Sequence, residues 1–260
     1  MGGKSYIVTG SSGIAAATIK LLTGDSNHVF FIGKEEVSCR NLLSELNETG
    51  PTADFIAGDL TDENVIKRLV TSCISKHGRI DGLFNVAGIS GRNLGDGPLH
   101  ECTLEGWEAT LRNNLTTQFL MCNHVIKQML GQEPGENGAR GVILNMASVL
   151  AFSPESKNFS AIAYAAGKAA IIGMTKTAAA YYAKEKIRVN AISPGLALTK
   201  MSARASENES IVAFMKDKQP LAGTVMDAGD VAKAAAFLLS DAACMITGEN
   251  LVVDAGWCIS

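Results

Sequence analysis

The sequence is short of the features that announce a nucleic-acid binder, a metal protein or a membrane protein. Lys and Arg total 23 against 26 Asp and Glu, a net charge of −3 with no basic or acidic tail, which leaves no electrostatic footprint for nucleic acid. The six cysteines, Cys39, Cys73, Cys102, Cys122, Cys244 and Cys258, are scattered. They form no Cys-x-x-Cys and no Cys/His pairing of metal or redox type, and read as buried thiols of a reducing compartment. No run of about 18 apolar residues is present to cross a bilayer, and neither a signal-length apolar run nor an Arg-rich transit segment opens the chain. A soluble, cytoplasmic protein without metal, membrane or nucleic-acid partner is the expectation. Linkers and repeats are absent too, which predicts one domain over residues 1–260.

What is present is a folded chain's composition, 47% hydrophobic and 19% charged, patterned as alternating strands and helices. Lys4 to Thr9, His28 to Ile32, Phe55 to Leu60, Asp81 to Val86, Val142 to Met146, Ile187 to Ile192 and Leu251 to Asp254 read as strands. Helical spacing runs through Ile14 to Leu22, Val65 to Lys76, Trp107 to Leu130, about Ser160 to Glu185, and Asp230 to Leu239. Such alternation predicts a single doubly wound α/β domain.

Tyr164 and Lys168 stand four apart in the helical stretch, one above the other, so an ammonium can sit beside a phenol and favour its ionised form. A tyrosine so placed serves as a general acid/base near neutral pH. Ser148, on the loop after Val142 to Met146, adds a hydroxyl for the same substrate oxygen, and the trio suits a carbonyl or an alcohol. Tyr182 and Lys186 repeat the spacing. On one continuous helix the two tyrosines lie roughly 27 Å apart, and ligands gather at the carboxyl ends of parallel strands, where the helix begins. Tyr164 is therefore at the ligand end, and Tyr182 is a packing or surface residue.

At the start of the chain, Gly10, Ser11, Ser12, Gly13 and Ile14 join a strand to a helix, the layout that holds a pyrophosphate on backbone N–H groups. At the end of the second strand, Gly33 and Lys34 stand where an NAD site usually has an acidic residue for the ribose hydroxyls. An ammonium there can pair with a 2′-phosphate, so NADP is favoured over NAD, with Glu35 and Glu36 opposing. Asp59 can accept from an adenine amino group or serve as a turn carboxylate, and Ala87 and Gly88 allow a sugar to approach the backbone. Asn113 and Asn114 interrupt a helical pattern that they do not favour. Leu196 to Gly223 is long and mixed in character, as a substrate-covering lid would be.

Taken together, these stretches resemble the short-chain dehydrogenase/reductase family over essentially the whole chain. The resemblance is carried by Thr9 to Ala15, Asp59-Leu60, Asn85 to Gly88, Asn114-Leu115, Asn145 to Ser148, Tyr164 to Lys168, Pro194-Gly195 with Thr199, and Thr247-Gly248 before Val253 to Gly256. It implies a Rossmann-type sheet of seven parallel strands and a nicotinamide cofactor. Tyr164 is then the acid/base and Ser148 positions the substrate oxygen. Lys168 holds the nicotinamide ribose and lowers the tyrosine pKa, while Asn114 supports a proton-relay water. Gly10 to Ile14, Lys34, Asp59, Leu60, Asn85, Ala87, Gly88, Tyr164, Lys168, Pro194, Gly195 and Thr199 are the implied cofactor residues.

The chain departs from the family pattern in three places. Only Ser11 and Ser12 separate Gly10 from Gly13, Ala15 replaces a glycine, and Ser148 to Tyr164 is longer than usual. The resemblance also implies a homo-oligomer, tetramer or dimer, built through the two long helices, near Trp107 to Leu130 and Ser160 to Glu185, and the C-terminal strand region. The alternative is a regulatory or scaffolding protein that keeps the dinucleotide site without turnover. In the segments expected to shape the substrate pocket, Ser90 to His100, Val149 to Ser160 and Leu196 to Gly223, no charge cluster demands an anionic substrate.

Overall fold

The computed structural model describes residues 3–25, 27–47 and 53–260. Seven parallel strands, β1 (Ser5–Thr9), β2 (His28–Gly33), β3 (Ala53–Ala57), β4 (Gly82–Asn85), β5 (Gly141–Met146), β6 (Ile187–Pro194) and β7 (Asn250–Val253), form one sheet in the order β3-β2-β1-β4-β5-β6-β7. This is the doubly wound Rossmann-type arrangement expected. The order reverses between β1 and β4, and the crevice at their carboxyl ends is where such folds bind ligands.

Strands covered on both faces are apolar almost throughout, and alternate side chains go to opposite layers. Tyr6 and Val8 of β1 join one core cluster, with Ile14, Ile19 and Leu22 of α1 (Gly13–Gly24), Leu42 and Leu46 of α2 (Glu36–Asn47), and Val231, Ala235 and Leu238 of the last long helix, α9 (Ala228–Leu239). Ile7 faces the other way, into a cluster with Ile66, Leu69 and Cys73 of α3 (Glu63–His77) and with Met121, Val125 and Met129. Those last three lie on α5 (Thr117–Gly131), and α6 (Ile162–Tyr182) adds Ala179 to the same layer. Among the described residues no helix is long and apolar enough to cross a membrane.

Three expected boundaries move. The third strand ends at Ala57: Gly58 N still donates to Gly33 O at 3.0 Å, but Asp59 leaves the ladder and its Oδ1 accepts from Thr61 N and Thr61 Oγ1 at 2.9 and 2.8 Å. The helix expected from Trp107 to Leu130 is α4 (Leu104–Leu111) and α5 joined by a π-helical turn at Arg112–Thr116. Asn113 Nδ2 donates to Ala109 O and Asn114 Nδ2 to Thr110 O, each at 2.9 Å, so the asparagine amides take up carbonyls that a regular turn would use. Finally, α6 stops at Tyr182 and a 3-10 turn, Ala183–Glu185, follows.

Residues 196–223 are built more regularly than a loop. They contain α7 (Ala203–Ser206) and α8 (Glu209–Lys218). Ile211 and Met215 of α8 pack with Val149 and with Trp257, which is 1% exposed. The buried Gln219 amide holds the segment's two ends, accepting from Leu196 N at 2.6 Å and donating to Leu196 O and Thr224 O.

Candidate active site

A cleft of about 830 Å³ runs along the carboxyl ends of the strands. At one end the β1–α1 turn lines it with Gly10, Ser11, Ser12 and Ile14. Gly10 has φ +110°, and a Cβ there would meet the Cβ of Ala15 at 2.9 Å, so the shortened turn needs glycine at this position. Gly13 has φ +55°, and a Cβ on it would lie 2.8 Å from Thr199 Cγ2. Helix α1 carries no acidic residue in its first turn, and Ser12 makes no side-chain cap bond. Its free N–H groups therefore remain available for an anion.

Lys34 and Asp59 line the cleft just past the ends of β2 and β3. Lys34 Nζ donates to Asp59 Oδ2 at 2.7 Å, although the lysine side chain is 77% exposed. That bond and the Thr61 N–H hold the Asp59 carboxyl down at about 2. Gly33 presses on Ser11, since a Cβ there would be 2.5 Å from Ser11 Oγ, which itself donates to Ser38 Oγ at 3.1 Å. Together, the strand-end glycines and small residues leave a cradle whose backbone a dinucleotide can approach closely.

Ser148, Tyr164 and Lys168 meet at the middle of the cleft. Ser148 opens the loop after β5, where its Oγ accepts from Leu150 N at 3.2 Å. Tyr164 and Lys168 stand one turn apart in α6, with Nζ 5.4 Å from the tyrosine ring centroid. Lys168, 2% exposed, donates to Met146 O at 2.8 Å. Burial pulls its ammonium down to about 7. Burial also raises the Tyr164 phenol, with a hydrogen bond from the Ser148 side chain working against it. The expected lysine-lowered tyrosine is thus not what this geometry produces. Both groups sit in a desolvated pocket, where loss of water disfavours the charged form of each.

Asn114 is fully buried behind this trio rather than in the cleft wall, which Asn113 lines instead. Its Oδ1 accepts from Ile89 N at 3.2 Å and its Nδ2 donates to Ile89 O at 3.0 Å. Gly88 separates it from the lysine: a Cβ there would lie 2.4 Å from Asn114 Oδ1 and 4.0 Å from Lys168 Nζ. Asn85 and Gly13 also fall outside the lining, and Asn85 is spent on a buried network with Asn145 Oδ1 at 2.9 Å and Cys122 Sγ at 3.3 Å. The other residues expected at the cofactor, including Leu60, Ala87, Pro194, Gly195 and Thr199, line the cleft.

Sequence reasoning missed three residues. Asp96 accepts from Ala163 N at 3.0 Å and Tyr164 N at 2.9 Å, capping α6 from a loop 67 and 68 residues away. Arg92 and Arg204 also line the cleft, from two segments in which the sequence shows no charge cluster that demands an anionic substrate. Arg92 Nη2 and Arg204 Nη2 both donate to Asn158 O, at 3.1 and 3.0 Å. Each arginine is unremarkable in its own stretch, and only the fold brings the two together.

Comparison with known proteins bears on this arrangement. A family model described as enoyl-(acyl carrier protein) reductase matches residues 8–258. A 2,5-dichloro-2,5-cyclohexadiene-1,4-diol dehydrogenase of Sphingobium indicum is 33% identical over 259 residues, 99% of this chain and 98% of its own. An NAD-dependent glycerol dehydrogenase of Listeria innocua is 34% identical, over 98% of this chain and 94% of its own. A solved structure of an actinorhodin polyketide ketoreductase variant with NADPH superposes at TM-score 0.87 with 29% identity, covering 99% of this chain and 98% of that one.

Proposed function

The chain belongs to the short-chain dehydrogenase/reductase family, and we propose that it works through Ser148, Tyr164, Lys168 and Asn114. It is an NAD(P)-dependent oxidoreductase of alcohols and ketones, as its relatives are dehydrogenases and reductases. The observation that carries the assignment of residues is the convergence of Ser148, Tyr164 and Lys168 in the cleft below the glycine turn. Nothing favours the non-catalytic scaffold, since no member of the expected catalytic set is missing.

A bound nicotinamide supplies or accepts the hydride, and the protein handles the proton. Burial keeps Tyr164 protonated at neutral pH, so its hydroxyl is set to donate to a carbonyl oxygen as the hydride arrives at the carbon. In the reverse direction the phenol must first lose its own proton, and the resulting phenolate oxygen takes the hydroxyl proton. Ser148 Oγ donates to the substrate oxygen and holds it against the phenol. Lys168 lies between the Tyr164 ring and Met146 O, close enough to the ribose side of the cleft to hold sugar hydroxyls. Asn114 fixes the Ile89 backbone beside Gly88, and so shapes the floor along which a relay water would sit.

NADP is favoured over NAD because a cation, Lys34, ends β2. A 2′-phosphate must draw Lys34 away from Asp59, which an exposed pair permits at little cost. The segment 196–223 serves as the substrate cover, anchored by Gln219 and the Trp257 cluster. We place the protein in the cytoplasm as a homotetramer or dimer joined through α4, α5 and α6, where Leu104, Phe119 and Tyr181 are exposed. Parallel calorimetric titrations with NADPH and NADH test the cofactor site. Tighter NADPH binding that Lys34→Ala abolishes is expected, and preference for NADH would overturn the Lys34 role.

A further inference from the structure

We propose that the substrate of this oxidoreductase carries an anionic group, carboxylate or phosphate, that is held by Arg92 and Arg204 while its carbonyl or carbinol carbon lies at Tyr164. The inference rests on the oxidoreductase reading of the cleft. It begins with the way charge is distributed along that cleft. Glu35 and Asp59 are the carboxylates in its described lining, and both stand at the ends of β2 and β3, with Lys34. The rest of the described lining carries Arg92, Lys200 and Arg204 without an acidic residue.

Two guanidiniums that share one carbonyl repel each other. The strain is visible at Arg92, whose pKa is lowered by burial and then by Arg204. Among the described residues neither arginine has a carboxylate within ion-pair distance. The acid nearest in effect is Asp96, which pulls the other way on Arg92, yet both of its oxygens are taken by the N–H groups of α6. Glu155, on the same loop as Asn158, is likewise held by Lys157 N at 2.8 Å and Asn158 N at 2.7 Å. Each guanidinium has five N–H donors. One from each goes to Asn158 O, and the rest are free to take a planar or tetrahedral anion in a fork.

The remaining wall defines the rest of the molecule. Val149, Leu150, Phe159, Leu196 and Trp257 line the same cleft, and Phe159 meets Trp257 edge-on at 5.5 Å between centroids. An apolar body with one anionic head, and a hydroxyl or ketone between head and nicotinamide, matches this surface. A neutral polyol would leave two like charges facing each other and an apolar wall wet.

Calorimetry on the full chain, with and without NAD(P)H, tests the proposal using probes that share one body. Cyclohexanecarboxylate is compared with cyclohexanecarboxamide, and cyclohexyl phosphate with cyclohexanol; the two anions distinguish carboxylate from phosphate. At least one anion is expected to bind about tenfold tighter than its neutral twin. Arg92→Gln and Arg204→Gln, which keep a donor for Asn158 O, are each expected to reduce that preference by about fivefold or more, while Arg→Lys at either position retains part of it. Turnover of 3-oxocyclohexanecarboxylate against its methyl ester should follow the same ratio. Equal binding of charged and neutral twins overturns the proposal. So does a loss in the Gln variants that falls on both twins alike, which would mark the arginines as mere loop tethers. Arginine-dependent anion binding in a chain that binds no NAD(P)H and reduces no ketone would remove the oxidoreductase reading and leave the anion site. Cofactor binding and turnover of neutral ketones without anion preference would do the reverse.

Discussion

Tyr164 with Lys168 and Tyr182 with Lys186 are the same four-residue spacing at the two ends of one helix, and they come to nothing alike. The first pair lies wholly inside α6, so the lysine sits one turn above the tyrosine and both are drawn into the cleft. The second straddles the helix end. Tyr182 is the last α-helical residue, and it stacks edge-on with Tyr181 at 4.8 Å and packs against the core layer. Lys186 has already turned out to φ 59°, exposed and pointing the chain into β6. A spacing motif carries chemistry only where the helix continues through it and where burial changes what its groups can do.

Substitutions that treat the two pairs alike should separate them sharply. The largest difference is expected for removal of the phenol oxygen. Tyr164→Phe should lower turnover by about a thousandfold while NAD(P)H still binds, and Tyr182→Phe should leave it within about twofold, as steady-state kinetics on any substrate will read. Near-normal turnover in Tyr164→Phe would remove the distinction altogether.

Lys168 couples folding to pH. Folding moves the Lys168 ammonium from its ordinary 10.5 to about 7, so between those values the unfolded chain holds a proton that the folded chain has released. Stability therefore rises with pH across that window, and below it the penalty of burying the charge is fully present. Thermal melts of the wild type should climb from pH 7 to 10 relative to Lys168→Met. Parallel curves for Lys168→Met would mean that the ammonium is not desolvated.

Smaller effects attach to the helix ends. Asp96→Ala strips two acceptors from the start of α6, beside Tyr164, and should cost about 1–2 kcal/mol in denaturant unfolding. At the other end, Lys186→Gly relieves a left-handed lysine and should stabilise by about 0.5 kcal/mol. A destabilisation there would place hidden contacts on the lysine side chain.

The caps also explain why some of the site was legible and some was not. Ser148, Tyr164, Lys168 and the Gly10 to Ile14 turn each announce themselves within a few residues, because glycine at positive φ and a one-turn spacing are local requirements. Asp96 gives no such signal. Its partners lie more than sixty positions on, and the helix it caps has Ala161 at its own N-cap, with no side-chain bond. The π-helical turn at Asn114 was half legible, since two asparagines in a helix ask for a reason, but the reason is the Ile89 backbone, 25 positions earlier in the chain and in direct hydrogen-bond contact.

Local pattern by itself was enough for the strand and helix alternation, the doubly wound class and most of the residues that line the candidate cleft, because periodicity, turn chemistry and close backbone approach are properties of short stretches. Only the tertiary structure decided which Tyr-Lys pair is buried, that desolvation rather than the lysine governs the Tyr164 phenol, and that Arg92 and Arg204 share Asn158 O. Burial and charge proximity depend on which distant segments the fold brings together, and no window of sequence contains that sum.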